Sequence, residues 1–311
     1  MDPSRDHRIS VHEDQAFFRE AVLFTAGHTG LNATLIEKDY FCTVLLQYLY
    51  DQPDSPLIFR GGTCIGKVYA DFYRLSEDLD FMISTPPEAS ISVRRERMAP
   101  VREWVKKISE AMNILTLPED FTGHNGSRQY VTYVTYPSVF LTEEAARIKI
   151  EVGLREMPLM LPVQMKAKTL LINPFTRKSL VPDIDLTTLS MKEAIAEKLR
   201  AALTRLEPAI RDFFDIDYLA SRNKMDRNDR HLFQLLAEKL KVPGNHPIDL
   251  SPARKEKLKT QINTELKPVL RPVDFESFNL ERTFDIITEM SHLLNDSFKS
   301  KANSTQFQKT R

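Results

Sequence analysis

The chain has 311 residues, 42% of them apolar and 28% charged, with 43 Lys and Arg balanced by 43 Asp and Glu. That length holds two domains or one large one, and the neutral balance excludes the global basic field of many dedicated DNA-binding proteins. The two cysteines, Cys42 and Cys64, sit in apolar surroundings, no run of 18 apolar residues occurs, and the polar start MDPSRDHR has no signal-peptide core, so a soluble, cytoplasmic protein without disulfides or membrane contact is expected.

Residues 1–9 are polar and expected to be loose. Ser10-Val11-His12-Glu13 reads as a capping box that opens a helix to about Ala26, ended by Gly27, with Phe17, Val22 and Leu23 on its buried face. A second box, Thr34-Leu35-Ile36-Glu37, opens a helix through Cys42, Leu45, Leu46 and Leu49. Within it, Glu37-Lys38-Asp39-Tyr40 reads either as a solvated charged turn packed by Tyr40 and Phe41 or as a functional segment.

Leu57 to Ser84 is the stretch around which the chain is organised. Leu57-Ile58-Phe59 fits a short buried strand, Gly61-Gly62 breaks it, and Thr63 is placed to cap a helix over Cys64 to Phe72. After the turn Arg74-Leu75-Ser76-Glu77, the run Asp78-Leu79-Asp80-Phe81 alternates, with both aspartates on one strand face roughly 7 Å apart at their Cα atoms. Such a pair suits Mg²⁺, a hard cation that takes oxygen ligands and shares them with substrate phosphates. The glycine turn lets backbone N–H groups approach a phosphate closely, and a side chain or a lost left-handed φ at Gly62 would spoil it. Singly, a Gly-Gly pair is a tight turn and an Asp-x-Asp a solvated strand face; their order within one short stretch is what points to nucleotide chemistry.

Residues 90–115 are charged and helical, with Trp104 and Ile108 on the apolar face. Their Arg94, Arg95, Arg97, Arg102, Lys106 and Lys107 read as a solvated helix face or as a path for RNA. Arg128 to Phe140 is a strand interrupted at Pro137, and Arg147 to Val152 is another, with Lys149 and Glu151 on one face. Residues 153–189, with Pro158, Pro162, Pro174 and Pro182, read as irregular connection with minor strands and a domain boundary. A third box, Ser190 to Glu193, opens an almost wholly helical region with helices at about 191–205, 208–221, 228–241, 251–265 and 275–295. Lys198 and Arg205 share one helix face, and Arg211 and Asp215 another. Residues 297–311 lack periodicity and are expected to be disordered.

Arg60-Gly61-Gly62-Thr63, Lys67 and Arg74-Leu75-Ser76-Glu77-Asp78-Leu79-Asp80 resemble the signature of the AbiEii-like nucleotidyltransferases, toxins of type IV toxin–antitoxin and abortive-infection systems in the DNA polymerase β-like superfamily. Most of that superfamily has Gly-Ser where this chain has Gly61-Gly62, whereas the AbiEii branch commonly reads GGT; the resemblance is also MenT-like. Glu37-Lys38-Asp39 resembles the family's EKD-type segment. Glu197-Lys198-Leu199-Arg200 and Arg211-Asp212-Phe213-Phe214-Asp215 are similar to its downstream "EK…R" and "RDxxD" segments, so the resemblance spans residues 35–220.

The resemblance implies an α+β fold: a nucleotidyltransferase domain with a mixed sheet over residues 1–185, a helical domain closing the active-site cleft over 186–296, and a tail. It implies Mg²⁺ or Mn²⁺ on Asp78 and Asp80, with Glu151 as a third carboxylate; a solvated strand face explains Glu151 as well. Gly61, Gly62, Thr63, Lys67 and Ser76 would bind the nucleotide, Lys198 would contact the triphosphate, and Arg211, Asp212 and Asp215 would line the helical side. The implied activity is transfer of a nucleoside monophosphate from an NTP to an acceptor, with tRNA or another RNA foremost, and a cognate antitoxin as partner. Two other readings stay open: a small-molecule nucleotidyltransferase of the antibiotic-modifying kind, marked by a closed acceptor pocket, and a catalytically silent nucleotide-binding module, which the intact Asp78/Asp80 pair opposes.

Overall fold

The computed structural model describes residues 8–141 and 145–308, with side chains through residue 294. The chain divides into two compact units, Met1–Met191 with Pro268–Asp274, and Lys192–Lys267 with Phe275–Arg311. The expected break at 185/186 thus moves to 191/192, and a short C-terminal segment returns to the first unit, where Leu75 donates its N–H to the Val269 carbonyl.

The first unit opens with α1 (Gln15–Thr29) and α2 (Ala33–Tyr50). Strand β1 (Leu57–Arg60) leads into α3 (Gly61–Cys64) and a π-helical turn over Ile65–Tyr69, and β2 (Asp78–Ile83) follows. Then come α4 (Ile91–Lys106), α5 (Ile108–Ala111), β3 (Thr122–His124), β4 (Gln129–Tyr136), β5 (Ala146–Gly153), β6 (Val163–Ala167) and β7 (Ile184–Thr188). The strands form one seven-stranded sheet in the order β3-β4-β5-β2-β1-β7-β6, with β2/β5 and β1/β7 parallel and the other pairs antiparallel. Alternation explains its two faces. Leu57, Phe59, Leu79, Phe81, Ile148, Ile150, Val152 and Val134 point into one core with α1 and α2. α2 is buried nearly all round, as an apolar helix inside a core must be. The opposite face carries a small apolar group, Ile58, Met82 and Leu189, and beside it the charged residues of β2 and β5.

Two of the three expected capping boxes are used otherwise. α1 is capped by Asp14, which accepts from the Phe17 N–H, and α2 by Asn32, which accepts from the Thr34 N–H. Ser10 precedes only a 3-10 turn, Val11–Glu13, where His12 is buried against the Tyr40 hydroxyl at 2.7 Å. The later start shifts the buried face of α1 to Phe18, Ala21, Val22 and Thr25, and exposes Leu23. The helix runs past Gly27 to Thr29, where Gly30, at φ +74°, supplies the left-handed cap. Residues 153–189, expected to be mainly irregular, provide β6 and β7, and β7 lies beside β1 inside the sheet.

The second unit is helical: α6 (Met191–Thr204), α7 (Ile210–Ser221), α8 (Arg230–Leu240) and α9 (Pro252–Gln261), then α10 (Pro272–Ser277) at the return segment, and α11 (Leu280–Gln308). No glycine or proline follows Pro272, so nothing stops α11 near 296 as expected; residues 309–311, like residues 1–7, lie outside the described part. No described helix is long and apolar enough to cross a membrane.

Helix α6 begins at Met191, as the third box predicts, and the box's Glu193 is buried with the ammonium of Lys239 at 2.7 Å, while Lys239 also meets Glu197 at 3.1 Å. Removing the cation would take from two buried carboxylates the ammonium that lies nearest to them. We therefore expect Lys239→Met to destabilise the protein by about 3–5 kcal/mol, read as a lower midpoint in urea unfolding; an unchanged midpoint would contradict it.

Candidate active site

β1 ends at Arg60 and the chain turns at Gly61, whose φ of +78° belongs to the left-handed region that side chains resist. Space forbids a side chain there as well, because a Cβ would lie 2.3 Å from Asp80 Oδ2. At Gly62, where φ is not left-handed, the obstacle is the buried Arg74 guanidinium, 2.3 Å from a built Cβ. The left-handed φ expected at Gly62 therefore belongs to its neighbour. The helix begins at Gly61 itself, so Thr63 is not its cap; its hydroxyl donates to the Asp78 carbonyl at 2.5 Å and ties the turn to the start of β2.

Sheet register then assembles the charged face. Asp80 lies opposite Arg60 on β1 and Glu151 on β5, and Asp78 lies opposite Lys149. Lys149 Nζ is 2.7 Å from Glu151. Asp80 is pushed up to about 6, first by burial, then by Glu151 and Asp78, with Arg60 and Lys149 only partly offsetting them. Burial would raise Glu151 too, but the Lys149 ammonium and Arg60 hold it below the usual carboxylate range.

The donor set fits a divalent cation of the Mg²⁺ kind. Asp80 is a carboxylate whose charge its own surroundings under-compensate, and Asp78 stands two residues away on the same strand face. Among the described residues no three His, Cys, Asp or Glu side chains are already gathered for one ion. Mg²⁺ does not need such a cage, since it commonly takes one or two carboxylates and completes its shell with water and substrate phosphates.

The Glu37-Lys38-Asp39 segment is not a solvated turn. Glu37 accepts from the Ser138 hydroxyl and the Val139 N–H, Lys38 pairs with Glu77 at 3.0 Å, and Asp39 holds Lys67 Nζ at 2.6 Å. Lys67 is 1% exposed, with its ammonium also over the Phe72 ring. Lys67 and Thr63, both expected at the nucleotide, engage protein groups that brace the glycine turn. Ser76 is half-buried in the turn before β2. In the basic helix, Arg94 is buried on the Leu154 and Pro87 carbonyls, Arg97 donates to the Ser84 carbonyl, and Arg102 and Lys106 pair with Asp120. Arg95 and Lys107 are exposed.

Within the second unit, Lys198 lies 2.8 Å from Asp212 and 2.9 Å from Asp215. Asp212 also has Arg205 at 3.3 Å, although its buried Oδ2 accepts no hydrogen bond. Burial would raise Asp212, but Lys198 and Arg205 hold it below the carboxylate range. Arg211, half-buried, donates to the Glu265 carbonyl. Sequence reasoning assigned no role to Arg60, Arg74 or Lys149. Arg60 and Arg74 stand inside the motif, and strand alternation already put Lys149 beside Glu151, so the signal was present.

The raised Asp80 has a measurable consequence. The folded chain keeps its proton up to about pH 6, while an unfolded aspartate releases it near 3.8. This contribution to stability is complete below the lower value and is lost as pH rises through the upper one. Denaturant unfolding in EDTA at stepped pH should show that loss, and Asp80→Asn should flatten it; identical slopes in the two proteins would refute the assignment.

A family model described as nucleotidyl transferase AbiEii toxin, type IV toxin–antitoxin system, matches residues 44–287. MenT4, a nucleotidyltransferase toxin from Mycobacterium tuberculosis, shares the fold with a TM-score of 0.52 over 89% of this chain and 92% of its own, at 17% identity. No curated protein sequence matches significantly. With a glycine turn set against paired aspartates and a family match over most of its length, the chain belongs to the AbiEii nucleotidyltransferase toxins of type IV toxin–antitoxin systems.

Proposed function

We propose that this enzyme transfers a nucleoside monophosphate from an NTP to an RNA acceptor, with tRNA as the target, in the cytoplasm and under the control of a cognate antitoxin. One observation carries the reading: Asp80 stands abreast of Glu151, one strand over, and against the Gly61 turn. Asp78 and Asp80 are the residues that would hold Mg²⁺ or Mn²⁺, with Glu151 as a third carboxylate. A bound divalent ion supplies charge neutralisation on the triphosphate and on the oxygens that gain charge during displacement.

The chain's own residues do the rest. Gly61 and Gly62 offer backbone N–H groups to phosphate oxygens, which can approach closely where no side chain intervenes. Arg60 and Lys149 keep the carboxylate face from carrying its full negative charge before substrate arrives. The acceptor hydroxyl, oriented by Glu151, forms a bond to the α-phosphorus; the bond to the bridging oxygen breaks, pyrophosphate leaves, and the hydroxyl proton passes to solvent. Catalysis here is positional and electrostatic. The resemblance also assigns Lys198 to the triphosphate, with Arg211, Asp212 and Asp215 in support.

Asp78→Asn and Asp80→Asn keep shape and remove charge, so each should cut transfer by roughly a thousand-fold or more while the circular dichroism spectrum stays native. Incubation with each labelled NTP, Mg²⁺ and total RNA tests both the activity and which polymer takes the label. Full activity in both variants would sink the reading. Lys198 needs a different design, because its ammonium neutralises two buried carboxylates and its loss should cost about 3–5 kcal/mol wherever the nucleotide binds. Lys198→Arg keeps the charge and alters its shape. A native melting temperature with transfer reduced at least about ten-fold is expected if Lys198 serves the triphosphate; native melting with native transfer would confine it to the fold.

A further inference from the structure

The sheet face that carries the carboxylates continues past them onto β5 and β4. Register places Tyr133, Lys149 and Asp78 in one cross-strand row, and Thr135 opposite Arg147. Tyr133 therefore lies two strands from Asp78, about 10 Å away at ordinary strand spacing. Tyr133 is 41% exposed, and the Arg147 guanidinium lies over its ring at 5.0 Å. The neighbours on the core side of β4, Tyr130, Thr132, Val134 and Tyr136, are all buried. The fold therefore buries what it needs from this strand and leaves one ring, with a cation on it, on the reactive side.

An aromatic ring and a planar guanidinium on an open sheet face have the chemistry that unpaired bases recognise: stacking surfaces that any base can use, with positive charge for the phosphates. A peptide partner would more naturally add to the sheet's edge, β3, whose three residues are exposed, than stack on its face. We propose that Tyr133 and Arg147 form a platform for the unpaired 3′ end of the acceptor RNA, stacking its last bases so that the terminal hydroxyl reaches the carboxylates. This deepens the RNA-acceptor reading and rests on it. Tyr133 and Arg147 are binding residues; neither touches the reacting atoms.

The test uses the full chain without nucleotide and a short, unstructured, 5′-fluorescent RNA, titrated by anisotropy at fixed salt. Tyr133→Ala should weaken binding roughly five- to a hundred-fold, the worth of one stacked base, and Tyr133→Phe should restore it because the ring face returns. Arg147→Gln should weaken binding and flatten its salt dependence. NTP affinity should be the same in all three, and the exposed position of Tyr133 keeps the fold out of question, which thermal melting checks. Native RNA affinity in Tyr133→Ala overturns the platform, and if the wild-type protein still labels RNA the enzymatic reading survives. Label on protein instead of RNA overturns both the platform and the RNA acceptor. RNA binding that depends on Tyr133 in a protein that transfers nothing supports the platform and refutes the proposed transfer.

Discussion

The structure depends on one row of charges across three strands. Arg60, Asp80 and Glu151 lie abreast because β1 pairs antiparallel, and β5 parallel, with β2. A one-residue slip in either pairing would turn Asp80 toward the apolar core and Leu79 away from it, at a cost no charged group could offset. The demand that Leu79, Phe81, Ile150 and Val152 be buried therefore also fixes which carboxylates meet. A buried core and a reactive face are two readings of the same alternation.

The glycine turn is held from beneath by ionic contacts rather than by apolar packing alone. Asp39 and Lys67 meet with almost no exposure, and Lys38 and Glu37 tie the same helical turn to the approach to β2 and to the loop after β4. Pairs of this kind contribute little net stability, since desolvation consumes most of the attraction, but each partner is costly to leave alone. Their value lies in direction: a charge that must find its partner sets the angle of the element that bears it. Phe72 and Asp71, both at left-handed φ, follow immediately, and a bulky residue in that region persists only where its surroundings hold it.

The helical unit repeats the device twice. Lys198 gathers Asp212 and Asp215, while Lys239 gathers Glu193 and Glu197. Glu197 and Lys198 are adjacent on α6 yet serve different clusters, because neighbouring residues on a helix point about 100° apart. The motif segments that look like surface ion pairs in the sequence are thus interior ones.

Local order was legible without coordinates wherever one segment decides its own conformation: the strand, glycine turn and alternating aspartates from Leu57 to Phe81, the end of β4 before Pro137, and most of the C-terminal helices. The motif alone marked Asp78, Asp80 and the glycine pair as a unit. What it left undecided were partners far away in the chain. Ser10 and Thr34 resembled helix caps, but in each case a nearer aspartate or asparagine took precedence, and the third box's Glu193 met a distant partner in Lys239. Glu37 and Lys67 looked like solvent or ligand contacts until folding enclosed them with Ser138 and Asp39. The amino-acid order determined which side chains share a face, a property of backbone period; only the tertiary structure decided which charges lose their water, because that depends on what packs against the face.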